Sequence, residues 1–104
     1  MAVATINGSE VQVDEEGFLT NPDEWNEDLA KVLASQIGID LTDDHWKAIR
    51  FLRDDFAQTG ETATIRRIST VAGIETKTLF TLFPKKPAKK MAYIAGLPKP
   101  HGCV

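Results

Sequence analysis

The chain has one cysteine, Cys103, and two histidines, His45 and His101, among 104 residues. A lone thiol cannot close an internal disulfide, and three such side chains fall short of the four ligands of a self-contained zinc site, so neither is expected to hold the fold. No apolar run approaches the ~18 residues that cross a bilayer. The opening Met1-Ala2-Val3-Ala4-Thr5 lacks the basic flank and apolar stretch of a secretion signal, and a cytoplasmic protein without a membrane segment is expected. P-loop and GxGxxG glycine patterns are missing, as is any Ser-His-Asp or Cys-His grouping, which argues against a stand-alone enzyme and against a bound cofactor. The length suits one domain with a single modest core.

Charge, by contrast, is plentiful and divided. Residues 1–60 hold 13 acidic and 4 basic side chains, net −9, while residues 61–104 hold 2 acidic (Glu61, Glu75) and 8 basic, net +6, together giving the −3 of the whole chain. The basic part would steer an anionic partner towards itself, although a solvated basic face balancing an acidic one gives the same composition. Arg66, Arg67, Lys85, Lys86, Lys89 and Lys90 are the candidates for docking a partner.

Alternating residues on either side of Asn7-Gly8 predict a hairpin of Ala2–Ile6 with Ser9–Val13. Asn21-Pro22-Asp23-Glu24 offers a helix start, and Trp25, Leu29, Val32 and Leu33 keep helical spacing to Gly38, although Asn26-Glu27-Asp28 could split this stretch into a turn and a helix. Thr42 caps a second helix with an apolar stripe of Trp46, Ile49, Leu52 or Arg53, and Phe56; Lys47, Arg50, Asp54 and Asp55 are expected to face water and His45 to lie at the surface or its boundary. Both tryptophans are expected in the core. A third helix from Thr62 presents Ile65, Ile68 and Val71 and stops at Gly73, a fourth carries Leu79, Leu82 and Phe83, and a fifth runs from Lys85-Lys86-Pro87 to Gly96. The third and fourth form a helix-turn-helix pattern. Its second helix offers only Thr76, Lys77 and Thr78 as base readers, so direct nucleic-acid binding is not the leading expectation; a regulatory DNA-binding protein stays as the alternative.

The final segment, Leu97-Pro98-Lys99-Pro100-His101-Gly102-Cys103-Val104, puts the thiol next to the end of the sequence. Two prolines favour extended geometry and Gly102 permits a bend beside the sulfur. Seven residues beyond Gly96 span up to ~23 Å at about 3.3 Å each, enough to enter a partner's cleft. Lys99 and His101 favour the thiolate, the reactive form, and the terminal carboxylate opposes it. A tail with an incidental cysteine is the bland alternative.

Leu82-Phe83-Pro84, Pro87-Ala88-Lys89 and Ile94-Ala95-Gly96-Leu97-Pro98-Lys99-Pro100 with Gly102-Cys103-Val104 resemble the DsrC/TusE family of sulfur-transfer proteins. The resemblance continues through Val13-Asp14-Glu15-Glu16-Gly17-Phe18-Leu19, Trp25, His45-Trp46, Phe51-Leu52-Arg53 and Ile65-Arg66. It implies a mainly α fold: a small orthogonal helical bundle over residues 1–96 with an N-terminal β-hairpin and a helix-turn-helix-like corner, and a mobile C-terminal arm, 97–104, whose Cys103 carries a persulfide. Lys99, Pro100, His101 and Gly102 would form the thiol's surroundings. Members serving dissimilatory sulfite reductase carry a second cysteine in the last helix, and the matching position here is Ala92, which leaves a single-cysteine relay similar to the tRNA 2-thiouridine branch. The short corner Gly73-Ile74-Glu75 looks more like the sulfite reductase branch. Implied partners are a donor of TusBCD or DsrEFH type and an acceptor of thiouridylase or sulfite reductase type, with the chain as a monomer; a regulatory homologue that transfers nothing is a further alternative.

Overall fold

The computed structural model describes residues 2–6, 9–14 and 16–98. It is a helical bundle fronted by one antiparallel hairpin, β1 (Ala2–Ile6) with β2 (Ser9–Val13). Ile6 pairs with Ser9, the register a two-residue connection demands; the Asn7-Gly8 turn itself lies outside the described residues. The chain then folds back so that Leu19 bridges to Val13, and a 3-10 turn at Pro22–Glu24 leads into α1 (Glu27–Gln36). Thus the stretch from Asn21 is split. Asn26 is extended, at φ −148°, and its side-chain oxygen accepts the Leu29 N–H at 2.8 Å, so helix starts afresh there rather than at Pro22.

The longest element is α2 (Asp43–Thr59), which ends on left-handed Gly60. Ala48, Ile49 and Leu52 give it a fully buried stripe. Then come α3 (Ile65–Arg67), continued by a π-turn at Ile68–Ala72, α4 (Thr76–Leu82) and α5 (Pro87–Ala95). α5 packs on α2 and α1, and Ala30, Ala34, Ala48, Ala92 and Ala95 are all buried there. Small side chains at facing positions let helices approach closely. Phe18, Leu79, Phe83, Met91 and Ile94 fill the main core, while Val11, Val13, Leu19, Leu29 and Leu33 form a second cluster under the hairpin. Trp25 and Trp46 are only partly buried, at the margins of the core.

Four expectations are corrected. His45 is buried, at 7 % exposure: its Nδ1 accepts the Thr42 backbone N–H at 3.1 Å, which leaves the proton on Nε2 to donate to the Leu82 carbonyl at 2.8 Å. Asp55 is also buried, at 6 %, because Arg67 meets it from α3. The third helix starts at Ile65, not Thr62, because Thr64 takes the cap and accepts the Arg67 N–H at 3.2 Å. Val71 is 57 % exposed: the wider π-turn rotates it off the face on which Ile68 stays buried.

Candidate functional site

The last turn of α5 leaves carbonyls without intrahelical partners, and side chains from two distant segments take them. The Trp25 indole Nε1 donates to the Ile94 carbonyl at 2.8 Å, and Arg53 Nη1 donates to the Ala95 carbonyl at 2.6 Å. The Arg53 guanidinium lies 4.1 Å from the Trp25 ring centroid, a cation–π stack at the negative end of the helix dipole. Burial lowers the Arg53 pKa from its ordinary value, against the opposing fields of Asp23 and Asp54.

Gly96 closes the helix in the left-handed conformation, at φ 69°, and a Cβ there would stand 2.5 Å from Trp25 Cδ1. Both its conformation and its contact therefore require glycine. The Leu97 N–H reaches back to the Ala92 carbonyl at 3.0 Å and that of Gly96 to Tyr93 at 3.3 Å, a Schellman closure with Leu97 buried beneath it. Next, the Thr62 hydroxyl donates to the Pro98 carbonyl at 2.7 Å. The segment expected to leave the body at 97 is thus packed through Leu97 and hydrogen-bonded at Pro98. Lys99, Pro100, His101, Gly102 and Cys103 lie outside the described residues. Ala92, the position matching the second cysteine, is fully buried on α5.

Beside this root stands the Asp55–Arg67 pair. Arg67 Nε and Nη2 grip the two carboxylate oxygens at 2.9 and 2.6 Å. These hydrogen bonds hold the Asp55 pKa below its ordinary value despite desolvation, and Arg67 is raised in turn. Thr62, Thr64 and Arg67 line one small hollow, so the pair braces the wall that holds Pro98.

The six docking candidates do not form one patch. Arg67 is engaged with Asp55, and Arg66 is exposed beside it on α3. Lys85, Lys86, Lys89 and Lys90 gather at the opposite end of α5, around a groove of about 500 Å³ with Phe18, Ile37 and Tyr93 among its lining residues. Lys85 and Lys86 both have positive φ, 57° and 43°, and Lys86 is the N-cap of α5. Lys90 Nζ caps the Pro84 carbonyl at 2.5 Å, and Lys89 stands 4.0 Å from Glu16. Phe18 meets Tyr93 edge-on at 5.9 Å. Tyr93 donates its hydroxyl to Gln36, and burial raises its pKa. In the helix-turn-helix corner Gly73 is left-handed and Thr76 and Lys77 are exposed, but so is half of Phe80.

Among the described residues no group of three or more His, Cys, Asp or Glu side chains could hold a metal, and no helix is long and apolar enough to cross a membrane. Sequence reasoning found the lysines but missed the parts that frame them and the arm: Trp25, Arg53 and Thr62 at the root, Phe18, Ile37 and Tyr93 in the groove. Signals were present: Phe18, Trp25 and Arg53 lie in the segments that carry the family resemblance, and Arg53 is a charge beside the apolar stripe of α2.

Comparison with known proteins gives a consistent result. The family model described as "DsrC like protein" matches residues 5–104. The sulfurtransferase TusE of Photorhabdus laumondii is 39 % identical over 111 aligned positions, covering all of both chains. Among solved structures, one described as dissimilatory sulfite reductase I (DsrI) superposes with a TM-score of 0.85 at 39 % identity, covering 99 % of this chain and 100 % of that one. The oxidized gamma-subunit of the dissimilatory sulfite reductase (DsrC) from Archaeoglobus fulgidus gives 0.80 at 37 % identity, again covering 99 % and 100 %. A family match over nearly the whole length, with helices, hairpin and corner in the same arrangement, shows that this chain belongs to the DsrC-like family.

Proposed function

We propose that this protein is a sulfur-relay carrier that accepts sulfane sulfur as a persulfide on Cys103 and passes it to a partner. The observation that carries the reading is the family match extending through residue 104, and hence through the chain's only cysteine. The Cys103 thiolate attacks the outer sulfur of a donor persulfide. A bond forms between Cys103 Sγ and that sulfur, the donor's own S–S bond breaks, the donor leaves as a thiolate, and the transferred sulfur keeps its proton. Delivery repeats the exchange with an acceptor thiolate, so no external oxidant or reductant is consumed.

A second thiol is not available at Ala92, so release of the sulfur depends on the acceptor rather than on an internal disulfide. The division of labour we infer is a body that includes Pro98 and an arm of residues 99–104 that brings the sulfur to its partner. Lys99, Pro100, His101 and Gly102 shape the thiol's surroundings. The relatives' names, a sulfurtransferase and a sulfite reductase gamma-subunit, support sulfur-relay partners such as sulfite reductase; we infer a donor of TusBCD or DsrEFH type and an acceptor of thiouridylase or sulfite reductase type. Incubation with a persulfide donor should add one sulfur, about 32 Da, to the intact chain and none to Cys103→Ser by mass spectrometry. Equal loading of both proteins would end the reading.

A further inference from the structure

The groove that runs along α5 from Lys85 to Tyr93 combines apolar walls with a basic rim. Phe18, Ile37 and Tyr93 give it apolar walls, and four ammonium groups stand around it against one carboxylate, that of Glu16. Its volume, about 500 Å³, falls within the range of clefts that seat a ligand of several side chains. Four lysines sharing one rim repel one another, and no acidic residue occupies the first turn of α5 to offset them. The occupant that satisfies both the walls and the rim is a peptide segment with apolar side chains flanked by carboxylates.

We propose that this groove docks an acidic, apolar-centred segment of the protein that exchanges sulfur with Cys103; the assignment to that partner rests on the relay reading above. The apolar side chains would cover Ile37 and Tyr93, and the flanking carboxylates would meet Lys85, Lys86 and Lys90, with Lys89 exchanging Glu16 for a partner's carboxylate. The chain's own residues 99–104 are a poor occupant, because they carry no acidic side chain and include the basic Lys99. The geometry suits a two-point grip. The groove runs along α5 from its lysines to Tyr93, whose carbonyl accepts the Gly96 N–H, so it reaches to within a turn of the arm's root. A partner held in the groove lies within the span of residues 99–103, which turns the exchange into an event within one complex.

The test uses the full-length protein, labelled with nitrogen-15, and a seven-residue synthetic peptide with leucine and phenylalanine set among glutamates. Control peptides replace the apolar residues by serine or the glutamates by glutamine. The expected result is a set of amide shifts centred on Phe18, Ile37 and residues 85–93, binding that strengthens as salt is lowered, and about tenfold weaker binding by the triple variant Lys85→Gln, Lys86→Gln, Lys90→Gln. Circular dichroism and amide spectra of the variant should match those of the unchanged protein. Equal binding of the serine control, insensitivity to the triple substitution, or shifts centred elsewhere would overturn the proposal. So would tighter binding of a single-stranded oligonucleotide of equal charge, or a lysine-dependent dimer in sedimentation, which would assign the groove to nucleic acid or to a second copy. Polysulfide loading of Cys103 is measured on the same samples. If the unchanged protein fails to load, the relay reading falls while peptide docking stands; if it loads and the peptide ignores the lysines, only the groove assignment falls.

Discussion

At its C-terminal end α5 has its free carbonyls taken by Trp25 and Arg53, its glycine pressed against an indole and its next two residues held by Ala92 and Thr62. At its N-terminal end the same helix has a cap residue and its predecessor in left-handed geometry and basic side chains in its first turn, where the helix dipole opposes them. One end is satisfied bond by bond and the other keeps unspent electrostatic potential. The contrast teaches which residues serve the fold and which are retained for something outside it. Substitutions at the first end should cost stability, whereas those at Lys85 and Lys86 at the second should leave it unchanged or improve it.

The most damaging single change should be Gly96→Ala. It forces a side chain into left-handed backbone and against Trp25 at 2.5 Å, and combined strain and overpacking should lower the unfolding free energy by about 3 kcal/mol in urea titration. A loss below about 1 kcal/mol would mean that the root yields easily, and the comparison would fail at its stronger side. Trp25→Phe keeps most of the ring but strips the N–H from the Ile94 carbonyl, and should cost about 1–3 kcal/mol by the same measurement.

Asp55→Asn sharpens the comparison through pH. The Asp55 pKa is depressed in the folded protein, so its contribution is present above the ordinary carboxylate range and is lost as pH falls through the folded value. The variant should therefore be less stable than the unchanged protein at neutral pH, and the two unfolding curves should converge in acid. A constant gap across that range would refute the pairing as the cause.

The smallest effect, and opposite in sign, belongs to the other end. Lys85→Asn with Lys86→Asn places a residue that tolerates positive φ at both positions and removes charge from the helix start, and should raise stability by about 0.5 kcal/mol in thermal or urea unfolding. If it instead destabilises the protein by 1 kcal/mol or more, the lysines belong to the fold and the division of α5 disappears.

What could be read from the chain beforehand follows how far apart the interacting residues lie. The hairpin strands, the restart of helix at Asn26, α2 with its glycine stop and the proline opening of α5 are local events, written in neighbouring residues. His45 was misplaced because its second partner, the Leu82 carbonyl, is 37 residues away, and Asp55 because its partner enters from another helix, 12 residues on. Trp25 and Ile94 are 69 positions apart and Thr62 and Pro98 are 36, so the clamp at the arm's root leaves no periodic trace. Val71 shows a different limit: its spacing is helical, but one π-turn changes the angle that spacing implies. For the candidate site, the lysines and the thiol were visible as residue types, whereas the groove that gives four of those lysines a common purpose is made by folding Phe18, Ile37 and Tyr93 together.

The hydrogen bond from Thr62 to Pro98 has a geometric consequence for the sulfur. On the proposed relay reading, an arm rooted at residue 98 instead of 96 can reach no farther than ~17 Å instead of ~23 Å, and the volume within that reach shrinks to roughly two-fifths. The same number of thiols is thereby confined to a smaller region, which raises their local concentration at any acceptor inside it. On that reading, a recipient with its reactive group at the bottom of a deeper shaft is excluded by length alone, so a single threonine hydroxyl helps set which partners the proposed arm can serve.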